Sequence, residues 1–406
     1  MGRLRTIVAR PLAMLAHEPP GWPAFRGRLR SEAITARVGL LLGIAVGLCF
    51  GTGILSHYQY TPWSWIAIPS APVWGYRLTQ GIHVITGLAA IPLLITKLWS
   101  VFPKLFVWPP ARSVVHGLER LSVAILVSAS IVEVTIGLLN ILNWYPWRFS
   151  FIDVHHWLAW VIIGSLLLHI AVKLPVIRRG LTRQALEAPD NLPAGVGATA
   201  GAESDLEAPA GGITRRGVLI ASGAGAGIVA LTTAGQALTP LRPVALLGVR
   251  DPQRAPLGVP INRTAAQAGV RQLATAPDYR LRMAGPKPFD LTLAELEAMP
   301  TVRRSLPISC VEGWSAGADW DGIELMDLVT RMGGAADSRV VLGSLEPDGP
   351  FKRSLIFGPQ LQAALLATHL NGVRLTLDHG YPVRLIAPNR AGVFNTKWIT
   401  QIGLAR

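Results

Sequence analysis

The chain has 406 residues, half of them hydrophobic and only 15% charged, a balance too apolar for an ordinary water-soluble protein and one that points to membrane spans. Its formal net charge is +14, but no basic run is interleaved with aromatics that could stack on bases, so nucleic acid is excluded as the partner. Cys49 lies in an apolar segment and Cys310 stands alone in the remainder; a lone thiol there makes no intrachain disulfide, and one thiolate is too few for a zinc or iron–sulfur site.

A basic tail over 1–36 opens the chain, with arginines from Arg3 to Arg30 and Arg37 just beyond it. Four segments of about 20 apolar residues follow, at 38–57, 78–96, 121–143 and 154–172, each long enough to span a bilayer. The tail, the loop carrying Lys97, Lys104, Arg112 and Arg120, and the end carrying Lys173, Arg178, Arg179 and Arg183 are basic, which places them in the cytoplasm. The intervening loops hold Arg77 and Arg148 beside Trp63, Trp65, Trp74, Trp144 and Trp147, an outer aromatic belt facing membrane lipid. An all-α four-helix membrane domain is therefore expected over 37–175, and an Ala-, Gly- and Pro-rich cytoplasmic linker over 176–212. Next comes I-T-R-R-G-V-L-I (213–220) before a fifth apolar stretch, 217–241. It looks like a twin-arginine export signal placed internally, with a plain basic anchor as the alternative. Running from inside to outside, this anchor over 213–241 puts residues 242–406 on the extracytoplasmic face of a bacterial inner membrane, and that length suffices for a separate core.

Six of the nine histidines fall between His57 and His169, and ionisable groups within a membrane default to function. A bis-histidine haem needs two imidazoles at one depth across a helix bundle. His155 and His169 are 14 residues apart, within about 40° on one helix face and roughly 21 Å apart along the axis. Depth then pairs His83 with His155 and His116 with His169 as ligands of two b-type haems, with His57 a spare and His156 pointing away. Residues 37–175, with fragments such as G-I-H-V-I-T-G (81–87), resemble the four-helix di-haem cytochrome b subunits of bacterial membrane oxidoreductases. Glu133, a carboxylate within a span, is either a proton carrier for quinone chemistry or a hydrogen-bond partner of a haem ligand.

Beyond the fifth span, strand-like runs at 339–342 and 384–386 alternate with helical ones at 291–298 and 323–332, a mixed α+β pattern. Cys310 sits in P-I-S-C-V-E-G-W-S (307–315). On its own it is either a buried structural thiol or a single soft ligand to a metal whose other donors come from an organic cofactor. The blocks I-N-R-T-A (261–265), the cysteine run, W-D-G-I-E-L (320–325) and L-N-G-V-R-L-T-L-D-H-G-Y-P-V-R-L-I-A-P-N-R-A-G-V-F-N-T-K-W-I (370–399) occur in that order. Together they resemble the molybdopterin domain of the sulfite-oxidase family.

The resemblance implies a sulfite-oxidase-type α+β fold over 242–406 and a molybdenum–molybdopterin cofactor. It makes Cys310 the catalytic protein ligand to molybdenum. It assigns the pterin and its phosphate to His379, Arg384, Asn395, Thr396 and Lys397, with Asn262 and Ser344 as further contacts. An anionic, phosphate-tailed cofactor suits Arg and Lys donors in a glycine-rich turn. His369 falls outside the matched positions and reads as an ordinary helix or loop residue. Glu312, Trp314 and Trp320 are close enough in sequence to line the pocket. Ser309 and Val311 flank the cysteine where animal and plant sulfite oxidases carry a nearby arginine, and no immunoglobulin-like dimerisation domain is expected after Lys397. The likeness is nearer to the short bacterial members, the protein-methionine-sulfoxide reductases.

The expected function is a membrane-bound molybdenum oxidoreductase that passes electrons between quinol, haem and an outer molybdenum site. It would reduce an S- or N-oxide such as protein methionine sulfoxide. The alternatives are a sulfite-type dehydrogenase running in reverse, and a haem membrane protein whose outer domain binds a partner without metal.

Overall fold

In the computed structural model the described residues are 31–63, 66–106, 113–184 and 214–405. The basic tail through Arg30, Trp65, Arg112, the linker residues 185–212 and Ile213 of the double-arginine motif lie outside them.

Five helices among the described residues are long and apolar enough to cross a membrane. They are α1 (Glu32–Tyr60), α2 (Gly75–Val101), α3 (Val114–Ile141), α4 (Phe151–Leu181) and α5 (Arg215–Ala234). Leu40, Ile95, Val115 and Leu167 stand exposed along them, as lipid-facing residues do. The helices outrun the apolar stretches because polar residues extend and cap them. Ser113 and Ser150 cap α3 and α4, accepting from the backbone N–H groups of His116 and Asp153. The fifth helix is shorter than expected and ends at Ala234 rather than 241. A Cβ on Gly235 would lie 2.2 Å from the Leu241 carbonyl oxygen, so the chain doubles back there, and Pro240 and Pro243 hold the following 3-10 turn (Thr239–Val244).

By packing, the chain divides into two compact units. One comprises the described residues up to Leu48 with Thr86–Ala230, the other Cys49–Ile85 with Leu231–Arg406. In the first, Ala45, Ala89, Ala90, Leu93 and Ala226 form a small-residue cluster, the kind of surface that lets helix backbones approach within lipid. Arg37 donates to the carbonyls of Gly180 (2.7 Å), Leu181 (3.2 Å) and Thr182 (2.8 Å), closing the open C-terminal end of α4. Ile136 and Leu139 of α3 pack with Phe151 of α4.

The second unit contains an α+β domain of two sheets. One runs β2-β1-β10-β5-β6, built from β1 (Arg280–Ala284), β2 (Phe289–Thr292), β5 (Arg339–Ser344), β6 (Arg353–Phe357) and β10 (Ile399–Leu404). The other runs β3-β4-β7-β8 with β9 beside β7, built from β3 (Val302–Ser309), β4 (Ser315–Glu324), β7 (Leu365–Leu370), β8 (Val373–Arg374) and β9 (Arg384–Ile386). Short helices α6 (Arg271–Ala274), α7 (Leu293–Ala298), α8 (Leu325–Arg331) and α9 (Gly358–Gln362) connect them. Leu281, Met283, Ile323, Leu342, Leu366, Leu385 and Ile402 meet in one core drawn from both sheets. The strand-like runs at 339–342 and 384–386 are β5 and β9. The helical runs begin two residues late, because Leu291 pairs with Leu281 in the sheet and Ile323 pairs with Leu366. His369 is a strand residue of β7, paired with Arg374, and not the helix or loop residue expected.

Candidate active site

Strands β3 and β4 pair in register from Val302↔Gly322 to Ser309↔Ser315, so Cys310–Trp314 is the tip of a hairpin. The tip closes on itself: Cys310 N–H donates to Trp314 O (2.9 Å) and Gly313 N–H to Cys310 O (3.1 Å), with Gly313 at φ 97°. A parallel bridge joins Ser309 to Ala391, which brings the 389–397 loop beside the cysteine strand. There the backbones nearly touch, since a Cβ on Gly392 would sit 2.7 Å from Ser309 O.

Between these loops lies a partly open cavity. Of the residues expected at a cofactor site, Cys310, Asn262, His379, Arg384, Asn395, Thr396 and Lys397 all line it. Ser344 does not; its hydroxyl donates to Lys397 O (2.9 Å) and accepts from Glu346 N–H, so it acts beneath the wall. Trp314 lines the cavity, but Glu312 and Trp320 do not. Glu312 is buried, where its Oε2 accepts from Arg250 Nε (2.7 Å) and Trp314 Nε1 (2.8 Å). Trp320 lies in the sheet with the Arg384 guanidinium over its ring.

Two buried cations dominate the wall. Arg384 donates to the carbonyls of His379 (3.0 Å) and Asn395 (3.0 Å), and its buried Nε has no hydrogen-bond partner among the described residues. Burial lowers its pKa to about 9. Lys397 Nζ donates to Arg263 O (2.6 Å) and Asp378 O (3.0 Å); burial, then the neighbouring Arg384 charge, lowers it to about 7. These groups are short of negative charge, and an anion seated here would offset that. His379 is spent on the protein. Its Nε2 lies 3.0 Å from Val259 O and its Nδ1 2.8 Å from Thr376 Oγ1. The carbonyl can only accept, so the ring is the neutral Nε2–H tautomer, and burial holds its pKa down to match. Asn395 Oδ1 likewise accepts Ala387 N–H, and the Thr396 hydroxyl pairs with Ser354.

Sequence reasoning did not single out Arg263, Glu346, Phe351 or Asp378, which also line the cavity. Arg263 stood inside the I-N-R-T-A block and was available. Glu346, whose Oε2 lies 2.6 Å from Arg263 Nη1, comes from the turn after β5, and no local pattern marks it. Burial raises its pKa.

Cys310 is 2% exposed, and burial, then the Glu312 carboxylate, pushes its thiol up. Among the described residues no group of three or more His, Cys, Asp or Glu could hold a metal ion. A metal here would take one protein sulfur and draw its other donors from an organic ligand. One soft donor, an orphaned guanidinium nitrogen and a buried ammonium on one cavity fit a metal carried by a phosphate-tailed cofactor.

Residues 267–406 match the family model of the oxidoreductase molybdopterin binding domain. The C-terminal region thus carries a domain of the sulfite-oxidase type, which supports a molybdenum oxidoreductase. Mitochondrial sulfite oxidase of Drosophila melanogaster is 31% identical over 156 residues, 32% of this chain and 27% of that protein. A candidate protein-methionine-sulfoxide reductase subunit of Azospira oryzae is 29% identical over 144 residues, 34% of this chain and 53% of its own length. The catalytic subunit of protein-methionine-sulfoxide reductase of Xanthomonas axonopodis pv. citri is 28% identical over 131 residues, 29% of this chain and 41% of that one. The chain therefore spans about a quarter to a half of the curated relatives it matches. Among solved structures, the sulfane dehydrogenase SoxCD of Paracoccus pantotrophus covers 32% of this chain and 38% of its own, at 21% identity and a TM-score of 0.29, too distant to bear on the fold.

The membrane histidines have ordered surroundings. His83 Nδ1 lies 2.9 Å from Cys49 O, and a Cβ on Gly53 would meet its ring at 3.0 Å. In the other unit, His155 Nδ1 lies 3.3 Å from Glu133 Oε1, and Gly137 faces its ring. Glu119, ion-paired with Lys173, is within electrostatic reach of both His116 and His169. His169 Nδ1 is buried with no hydrogen-bond partner among the described residues.

Proposed function

We propose that the chain is a membrane-bound molybdenum oxidoreductase that takes electrons from quinol through b-type haem and removes oxygen from an S- or N-oxide, protein methionine sulfoxide first among them. The observation that carries this reading is the convergence of Cys310, Arg384 and Lys397 on one cavity. When bound, the cofactor supplies oxygen-atom transfer at its metal. The protein supplies the rest. Cys310 gives a thiolate from a rigid hairpin tip. Arg384 and Lys397 hold the anionic tail, His379 and Ser344 fix the loops that carry them, and the open side admits substrate.

For the membrane part we propose a four-helix arrangement with His83, His155, His116 and His169 as ligands of two haems. A histidine whose Nδ1–H is held by a carbonyl presents Nε2 to a metal, and the Cys49 carbonyl stands where that requires for His83; Glu133 faces His155 Nδ1 at ion-pair distance, 3.3 Å. Glu133 then serves as the orienting partner of a ligand. A glycine facing each of those two rings supports the same reading. Arg215 and Arg216 occupy the first turn of α5, where positive charge opposes the helix dipole. That placement serves orientation or twin-arginine export, with the domain on the outer face of the inner membrane.

Molybdenum and iron per chain, with a reduced-minus-oxidised visible spectrum, test the reading; one molybdenum and two haem irons are expected. Haem without molybdenum, from a host that makes the cofactor, would leave only a binding domain. Cys310→Ser should abolish turnover and leave haem reduction intact. Reduced viologen with sulfoxides, against sulfite with ferricyanide, decides the direction. The likeness to sulfite oxidases keeps the second arm in the test.

A further inference from the structure

Within the second unit, the hairpin tip that carries Cys310 rests on one stripe of α2. Tyr76, Gln80 and Val84 recur at intervals of four and so share a helix face, and each is at most 5% exposed. Gln80 Nε2 donates to the Val311 carbonyl at 2.7 Å, one residue from the cysteine. Its Oε1 accepts from Ser56 Oγ at 2.6 Å, so both ends of the amide are used, and the glutamine ties α1, α2 and the hairpin tip together. The Tyr76 hydroxyl bonds to Ser56 and lies within electrostatic reach of Cys310. A Cβ on Gly313 would meet Val84 at 3.0 Å, so only glycine lets the tip sit this close.

This seat serves no purpose in holding the pterin, because none of Tyr76, Gln80 or Val84 lines the cavity. It instead binds the loop around Cys310 to the helix that carries His83, the residue just before Val84. A surface evolved only to bury the helix end would need apolar contact and no buried amide. An amide with a partner at each end adds direction and register.

We propose that the Tyr76–Gln80–Val84 stripe is the seat that fixes the Cys310 loop against α2, with Gln80 as the positioning residue that couples the membrane helix to the metal ligand. The metal-ligand part of this inference rests on the function proposed above; the seat itself does not.

Two variants test it in the full chain. Gln80→Leu removes both hydrogen bonds. Gln80→Glu keeps the side-chain size and the Ser56 contact but presents an acceptor to the Val311 carbonyl. In cofactor-free protein on a Cys49→Ala background, maleimide labelling of Cys310 should speed up by about tenfold or more in both variants, because the tip opens more often. In molybdenum-loaded protein both should keep wild-type metal content yet show an altered Mo(V) electron paramagnetic resonance signal. Quinol-driven turnover should fall about tenfold while viologen-driven turnover holds, as expected when an outer partner of a metal ligand is lost. Wild-type labelling together with a wild-type signal in both variants overturns the seat. A wild-type protein without molybdenum overturns the proposed function instead, and the labelling still decides the seat.

Discussion

Lys397 and Arg390 show how much a single residue's surroundings say about its task. Both are buried cations. Arg390 spends its donors on Phe394 O (3.0 Å), Gln360 Oε1 (3.0 Å) and Leu355 O (2.8 Å) and does not line the cavity, so it is a strut for the loop. Lys397 faces the cavity with its pKa lowered to about 7, a group waiting for a counter-charge. Lys397→Met should therefore cut retention of the phosphate-tailed cofactor by more than about tenfold, roughly 1.4 kcal/mol, as expected for the loss of a charge-assisted bond. The check is pterin released per chain after gel filtration. Thermal stability of the cofactor-free protein should fall too, since the Arg263 and Asp378 carbonyls lose their donor, at about 1–3 kcal/mol for a buried group left unpaired. Arg390→Met should lower stability without this selective effect on pterin. At this scale the motif blocks made Cys310, Arg384 and Lys397 legible. They did not reveal that the His379 ring faces Val259 and Thr376, or that Ser344 supports Lys397 from beneath, because hydrogen-bond direction is a property of the folded loop.

At the scale of elements, the site is a meeting of two loops that β3 and β9 deliver from one sheet. The run that became β5 alternates because that strand buries one face, whereas β9 is buried along its whole length and shows no alternation. The parallel pairing of β1 with β10, Arg282↔Gln401, joins segments that no local pattern connects, and the end of α5 at Ala234 depended on the chain doubling back closely over Gly235 rather than on composition. Gly392 governs the loop meeting. With Ser309 O only 2.7 Å from where a Cβ would stand, Gly392→Ala must push the 389–397 loop off the cysteine strand. Overpacking of this kind costs about 1–3 kcal/mol. The expected result is a lower melting temperature together with molybdenum content reduced to a small fraction of wild type. Gly317→Ala, at an open position on β4, is the control that should change neither. Full metal content in Gly392→Ala would show that the two loops need not touch for the cofactor to bind.

For the whole molecule, the five apolar stretches were visible in the sequence because lipid imposes composition over a fixed length. The packing units were not: Cys49–Ile85 groups with Leu231–Arg406, and contacts such as Gln59 to Asn389 (3.3 Å) and Asn389 to Pro69 O (2.8 Å) are set by tertiary structure alone. The charge buried in the cavity should appear in the stability of the entire C-terminal domain. Lys397 falls from its ordinary 10.5 to about 7 on folding, and Arg384 from 12.5 to about 9. Above pH 7 the unfolded chain holds the lysine proton that the folded domain has lost, so the unfolded state binds more protons and stability rises with pH. Below pH 7 both states keep that proton and its contribution is flat. The raised pKa of Glu346 and the lowered pKa of His379 contribute slopes of opposite sign. Above about pH 9 the raised thiol of Cys310 opposes the rise, because the folded state then keeps a proton the unfolded chain releases. The cofactor-free protein should therefore gain stability between pH 7 and 9, read as the thermal midpoint of the C-terminal domain in detergent. The loaded protein should lose this slope, because a bound anion restores the lysine's proton across the window. A flat profile in the cofactor-free protein would mean that Lys397 keeps its charge unaided, and that the cavity is not built to take an anion.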